Sequence, residues 1–225
     1  MGYEHVLVER DGPFTTITMN RPQRRNALSA AHLHELTTAF TEAGESDAAG
    51  IILAGNGPVF SAGFDLSEFE KAAGDEAFGR ELWASSDRYH ETVLHFPLPT
   101  VAAINGPALA GGFDLAVLCD IRIASTTARF AHPERTFGDV VYGPLHDLVG
   151  GAVARELTIG GRELDAEQAL AVHLVGEVVP PEVLPDAAKA AVARIVAAPR
   201  DVLLRTKAKA LRRAGYAPGT TTLEL

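Results

Sequence analysis

Apolar and polar residues alternate from the beginning of the chain. Residues 5–9 and 14–19 read as two strands joined by the turn Asp11-Gly12-Pro13. Asn20-Arg21-Pro22 breaks the alternation. From Ser29, a helix cap, the period lengthens. Leu33, Leu36 and Phe40 recur at helical spacing, which predicts a helix to about Ala43. Apolar runs at 50–54, 100–105 and 121–124 predict buried strands. Glycine-rich loops at 55–63 and 106–112 follow the first two runs. The polar stretch 67–79 predicts a mobile loop, followed by a helix that Pro97 and Pro99 stop near His95. The glycine pair at 111–112 opens a helix to Cys119. Beyond Gly161 the pattern turns helical over 165–172, 184–197 and 201–214, with Pro199 between the last two. Residues 215–225 are rich in Gly and Thr and are expected to be disordered.

The repeat of strand, glycine loop, helix and strand argues for an α/β fold. In such folds ligands meet loops at strand C-termini and helix N-termini. The chain has 225 residues, 47% of them hydrophobic and 22% charged, enough for a sizeable core. A net charge of −9 disfavours nucleic acid as a partner, and an anionic ligand would need a local basic patch. The single cysteine, Cys119, rules out an internal disulfide framework, suits a reducing compartment and reads as a core thiol. No Cys/His spacing predicts a metal site. Charges interrupt the apolar residues of the N-terminal stretch, so no secretory signal is expected. No apolar run reaches the ~18–20 residues of a membrane span. The expectation is a cytoplasmic protein with no membrane partner.

Two glycine loops carry the candidate chemistry. One is Phe60-Ser61-Ala62-Gly63-Phe64-Asp65-Leu66 and the other runs from Gly106 through Ala110-Gly111-Gly112-Phe113-Asp114. Small residues let a ligand approach the backbone, and a helix N-terminus offers free N–H donors. Two such loops facing one point could hold an oxyanion. Removing one such donor typically costs ~2.7–4 kcal/mol of transition-state stabilisation. Taken alone, each loop's glycines read more readily as permitting a tight strand-to-helix turn. Ser85 and Ser86 lack the elbow motif of serine-triad hydrolases.

Read in order, four segments resemble the crotonase (enoyl-CoA hydratase/isomerase) superfamily. They are Asn20-Arg21-Pro22 with Asn26-Ala27-Leu28, FSAGFDL at 60–66, NGPALAGGFDLAVLCDIRIAS at 105–125 and ARFAHPE at 128–134. The resemblance implies a spiral of β-β-α units with a C-terminal helical region. That divides the chain into a core over 1–195 and a helical tail over 196–225, truncated relative to typical members. It also implies a homo-oligomer, a trimer or a dimer of trimers, and an acyl-CoA substrate with no separate cofactor, since coenzyme A is part of the substrate.

Carried over by motif, the oxyanion donors are the backbone N–H groups of Phe64 and Gly111. The acid/base pair is Asp114 and Glu134, twenty residues apart as in family hydratases, with aspartate where those carry a first glutamate. Coenzyme and substrate contacts fall to Arg24, Arg25, Ala62, Asp65, Leu66 and Ser67, and Tyr142, outside the matched motifs, is a further candidate substrate contact. Lys207, Lys209, Arg212 and Arg213 lie where the family approaches coenzyme A. His132 is placed to tune Glu134. The segment from Glu134 to Gly150 is about four residues shorter than the family pattern, near one helical turn, so Asp139, Tyr142, His146 and Asp147 occupy unfamiliar ground. The implied activity is hydration of a 2-enoyl-CoA. The alternatives are 3,2-enoyl-CoA isomerisation, hydrolysis or dehalogenation on the same scaffold and, in a different class, an inactive acyl-CoA-binding protein.

Overall fold

The hairpin predicted by the first alternation forms. Strands β1 (Val6–Asp11) and β2 (Phe14–Met19) pair antiparallel, with Val6 opposite Met19 and Asp11 opposite Phe14. Gly12 turns the chain at φ +59°, where an L side chain would be strained. The structure, a computed structural model, describes residues 2–225. Ser29 accepts the His32 N–H at 3.3 Å and starts α1 (Ala30–Glu45), which buries Leu33, Leu36 and Phe40.

Parallel strands extend the sheet beyond the hairpin. β3 (Gly50–Gly55) pairs with β2, and β4 (Thr100–Ile104) pairs with β3. β6 (Ile121–Ser125) and β9 (Glu177–Val179) complete the order β1-β2-β3-β4-β6-β9. Period-two alternation splits these strands between two cores. Ile51, Leu53, Ala102 and Ile104 face the larger core with α1, whereas Ile52, Val101 and Ala103 face helix α7 (Leu184–Val196). A small second sheet joins β5 (Ala108–Leu109), β7 (Arg129–Ala131) and β8 (Leu164–Asp165). These strands of two or three residues are too short to show an alternation in sequence. Asp165 and Gln168 form a capping box at the start of α6 (Ala166–Ala171). The fold is mixed α/β, as expected.

Three stretches differ from the sequence expectation. Residues 67–79 are helical, in α2 (Leu66–Gly74) and the first turn of α3 (Glu76–Leu94). The side chains of Asp65 and Asp75 cap the two helices, accepting the Ser67 and Phe78 N–H groups. α2 buries no residue fully, which explains its polar sequence; Phe69 meets the rings of Phe64 and Trp83. Next, α4 (Gly111–Leu118) is followed, beyond β7, by α5 (Gly143–Thr158), whose pattern is interrupted by Gly150 at φ +75°. Finally, residues 215–225 are ordered rather than loose. α8 (Arg200–Ala214) ends at left-handed Gly215, after which the chain docks on α3. The Thr222 N–H donates to Asp87 at 2.8 Å, and the Leu225 carbonyl accepts the Tyr142 and Gly143 N–H groups. No helix among the described residues is long and apolar enough to cross a membrane.

Candidate active site

The N-terminal Asn-Arg-Pro…Asn-Ala-Leu segment builds the first glycine loop. Asn26 is buried in a left-handed conformation, and its amide donates to the carbonyls of Asn56, Val59 and Phe60 at 2.9, 2.8 and 3.2 Å. The Ser61 hydroxyl donates to Asn26 O at 2.9 Å and accepts the Gly63 N–H at 3.2 Å. The second loop is tied to the first by Leu109 N–H on Ser61 O at 2.9 Å. Glycine is required where the loops touch. A Cβ on Gly63 would lie 2.6 Å from Ala110 Cβ, and one on Gly112 would lie 2.5 Å from Ser61 O.

These contacts bring two unused N–H groups side by side. The position of a Cβ on Gly63 falls 3.1 Å from Gly111 N, so the Phe64 and Gly111 amides are neighbours. Flanking amides are occupied: Leu28 N–H on Gly63 O, Asp65 N–H on Leu28 O and Ala110 N–H on Ala131 O. Those of Phe64 and Gly111 donate to no group among the described residues. Gly111 opens α4, so the positive end of the helix dipole adds to the pair. Ala110, at φ 51° and ψ −133°, is a non-glycine residue in a sparsely populated region. Strain of this kind clusters at functional sites, and nothing in the sequence distinguished this alanine.

The carboxylates converge because the second sheet sets their register. β5 pairs parallel with β7, Leu109 opposite Ala131, so the first turn of α4 meets the 3-10 turn Pro133–Thr136. Asp114 is 5% exposed, and burial, reinforced by the charge of Glu134 and opposed by His132, pushes its pKa up to about 7. His132 Nδ1 lies 2.8 Å from Glu134 Oε1 and 3.9 Å from Asp114 Oδ1. Asp114 Oδ1, Glu134 Oε2 and His132 Nε2 are buried without a hydrogen-bond partner among the described residues. Donor atoms of the three groups lie within 4.8 Å of one another, close enough to surround a cation. His132 Nδ1, however, is already engaged by Glu134 Oε1 at 2.8 Å. Hydrogen bonding is the better account of the cluster.

Both carboxyl groups and Gly111 open into one cavity of about 500 Å³. Phe64, Leu66, Phe69, Trp83, Phe137, Val140 and Val141 supply most of its wall, with Ala62 at the first loop. Two amide donors and two carboxyl groups in an apolar cavity can polarise a carbonyl and move protons at carbons near it.

The enoyl-CoA hydratase/isomerase family model matches residues 9–225. The chain belongs to this family. It is 38% identical over 196 residues to a protein of Mycobacterium tuberculosis named "Probable enoyl-CoA hydratase", covering 84% of this chain and 74% of the relative. Identity to the short-chain-enoyl-CoA hydratase of Clostridium acetobutylicum is 35% over 202 residues, covering 87% and 77%. A crystal structure of an enoyl-CoA hydratase/isomerase from Xanthobacter autotrophicus superposes with a TM-score of 0.87 at 31% identity, covering 94% of this chain and 80% of that one.

Of the residues carried over from the family pattern, Ala62, Phe64, Leu66, Gly111, Asp114 and Glu134 share the cavity. Arg24, Arg25, Asp65, Ser67 and Tyr142 are not in its wall. Asp65 is a structural anchor: it is buried, caps α2, and pairs with Arg24 at 2.9 Å and Arg21 at 3.3 Å. Burial works to raise its carboxyl, but hydrogen bonds from Ser67 and Arg24 and the arginine charges hold it below the ordinary value. The Ser67 hydroxyl donates to Asp65 at 2.7 Å. Arg25 is exposed, its carbonyl holds the Ala62 N–H, and its guanidinium makes no ion pair among the described residues. Tyr142 precedes α5 with its ring against His146. Of the residues in the shortened segment, Asp139 lines the cavity, whereas His146 and Asp147 do not. Lys207 is buried and its ammonium donates to Leu98 O and Asp120 Oδ2, both at 2.8 Å, so it anchors α8; Lys209, Arg212 and Arg213 are exposed. The sequence reading missed Phe69, Trp83 and Thr222 as cavity residues, because helix docking rather than any motif places them there.

Proposed function

We propose that this chain hydrates a 2-enoyl-CoA thioester. The observation that carries the reading is the pair of unused Phe64 and Gly111 amides in the same apolar cavity as the Asp114 and Glu134 carboxyls. The thioester oxygen binds between the two amides. Glu134 takes a proton from a water molecule whose oxygen attacks C3. The electron pair of the C2–C3 double bond shifts toward the thioester, and the oxyanion is held by the amides. Asp114, whose burial keeps its proton to about pH 7, delivers that proton to C2. Water is added across the double bond, and Glu134 ends protonated and Asp114 ionised until protons exchange with solvent.

Aromatic and aliphatic side chains accept the acyl chain. Arg25, exposed beside the first loop and in no ion pair among the described residues, is a cation available to a coenzyme phosphate, while Arg24 is engaged by Asp65. A trimer or dimer of trimers and a cytoplasmic location belong to the reading on family resemblance.

Isomerisation of a 3-enoyl-CoA is the second reading. It is favoured by the shorter reach of Asp114, about 1 Å less than glutamate, a displacement that can cost on the order of 100-fold in rate. Glu134 alone would then move a proton from C2 to C4. Crotonyl-CoA and a 3-enoyl-CoA, assayed side by side with Asp114→Asn and Glu134→Gln, separate the two. Hydration lost in both variants supports the two-carboxyl mechanism. Isomerisation that survives Asp114→Asn but not Glu134→Gln replaces it, and no turnover of either substrate rejects both.

A further inference from the structure

The turn between β5 and α4 forces one residue into a conformation that its side chain resists. Ala110, at φ 51° and ψ −133°, takes the first central position of a type II′ turn, where glycine is the usual residue. An L side chain is strained there, and the strain persists only where the surroundings over-determine the backbone. They do so here. The Ala110 N–H donates to Ala131 O at 3.0 Å, which fixes the peptide before it. Ala110 O accepts the N–H groups of Phe113 at 2.7 Å and Asp114 at 3.1 Å, which fixes the peptide after it. With both planes pinned, the two dihedrals between them have little freedom.

The second of these peptides carries the Gly111 N–H. In a trans peptide the carbonyl and the N–H point in opposite directions. Ala110 O is turned into the first turn of α4, so the Gly111 N–H points out of the helix, and Gly111 lines the cavity. A flip of this peptide would present a carbonyl oxygen where the donor now stands. The Ala110 methyl has a second contact. A Cβ on Gly63 would lie 2.6 Å from it, so the methyl rests against Gly63, whose following peptide carries the Phe64 N–H. We infer that Ala110 is a positioning residue for both donors. Its strained backbone aims the Gly111 N–H into the cavity, and its methyl holds the Gly63–Phe64 peptide in line with it. The inference rests on the reading of these two amides as donors to a thioester oxygen. Glycine at position 110 would relieve the strain and would also free the peptide to flip.

The test compares Ala110→Gly, which removes the strain and the methyl, with Ala110→Ser, which keeps a Cβ in the same conformation. For Ala110→Gly the melting midpoint should rise by about 2–4 °C, while kcat for crotonyl-CoA falls by about 100-fold. Opposite movement of stability and turnover separates positioning from packing, since loss of packing lowers both. Ala110→Ser should melt within about 2 °C of wild type and keep kcat within about tenfold. Ala110→Gly with wild-type kcat overturns the inference, and so does lost activity without a gain in stability. A readout without turnover is the carbonyl stretch of bound butyryl-CoA, labelled with carbon-13 at the thioester carbonyl. Infrared difference spectra should show the stretch lowered by wild type, with about half of that shift or more lost in Ala110→Gly. Equal shifts in the two proteins, or none in wild type, overturn the inference. If wild type shifts the carbonyl but hydrates nothing, the hydratase reading fails, and the infrared comparison still decides the role of Ala110.

Discussion

At the scale of single residues, the proposed mechanism couples activity to stability through Asp114. Its carboxyl is raised from 3.8 to about 7 by burial. Between those values the unfolded chain has lost the proton and the folded chain keeps it, so folding stability falls as pH rises through that window. The contribution approaches about 4 kcal/mol at its limit, at 1.36 kcal/mol per pKa unit. Denaturation of Asp114→Asn at pH 8 should therefore show a more stable protein than wild type, with hydration lost; equal stability would mean that the carboxyl is not raised. In the proposed hydration Asp114 acts as the acid and must hold its proton, so kcat should decline as pH rises through about 7. A profile rising through that value would assign Asp114 the base role instead. Phe64, Gly111, Asp114 and Glu134 were legible in sequence because their motifs have fixed order and spacing. Arg24 was read as a coenzyme contact, but only the fold reveals that Asp65 holds it. Ala110 was invisible, since a strained backbone has no side-chain signature.

At the scale of elements, the glycine turns set the site. A Cβ on Gly111 would meet the Phe64 ring at 2.8 Å, and in the proposed mechanism these two residues supply the paired amide donors. Gly111→Ala should fold yet lose about 100-fold in kcat, the typical cost of one misaligned oxyanion donor. A Cβ on Gly112 meets main chain at Ser61, which cannot swing away. Circular-dichroism melts of Gly112→Ala should show a loss of about 1–3 kcal/mol in stability. Steady-state kinetics distinguish the two, with the first variant impaired in turnover and the second in folding. The strands β2, β3 and β4 were plain in the sequence because an apolar run flanked by turns has few other readings. Helix α2 was not, because its contacts come from ring edges on partly exposed Phe69 rather than from a buried stripe.

At the scale of the whole molecule, the C-terminal third braces the site. Lys207 in α8 binds Leu98 O, just before β4, and Asp120, just before β6. Its ammonium is buried while Asp120 is partly exposed, so Lys207→Ala should cost about 2–3 kcal/mol, below the full range for a broken buried pair. Thermal unfolding checks this, and an unchanged midpoint would remove the bracing role. Residues 215–225 were read as loose from composition alone. Composition does not show that the Thr222 hydroxyl would meet Ser86 and His90 in the interior and line the cavity. The most direct test of the whole account is proton NMR of crotonyl-CoA incubated with the enzyme in deuterium oxide. Hydration by the two carboxyl groups gives a 3-hydroxy thioester bearing one deuterium at C2, absent with Glu134→Gln. Deuterium at C4, release of free coenzyme A, or recovery of unchanged crotonyl-CoA would contradict it.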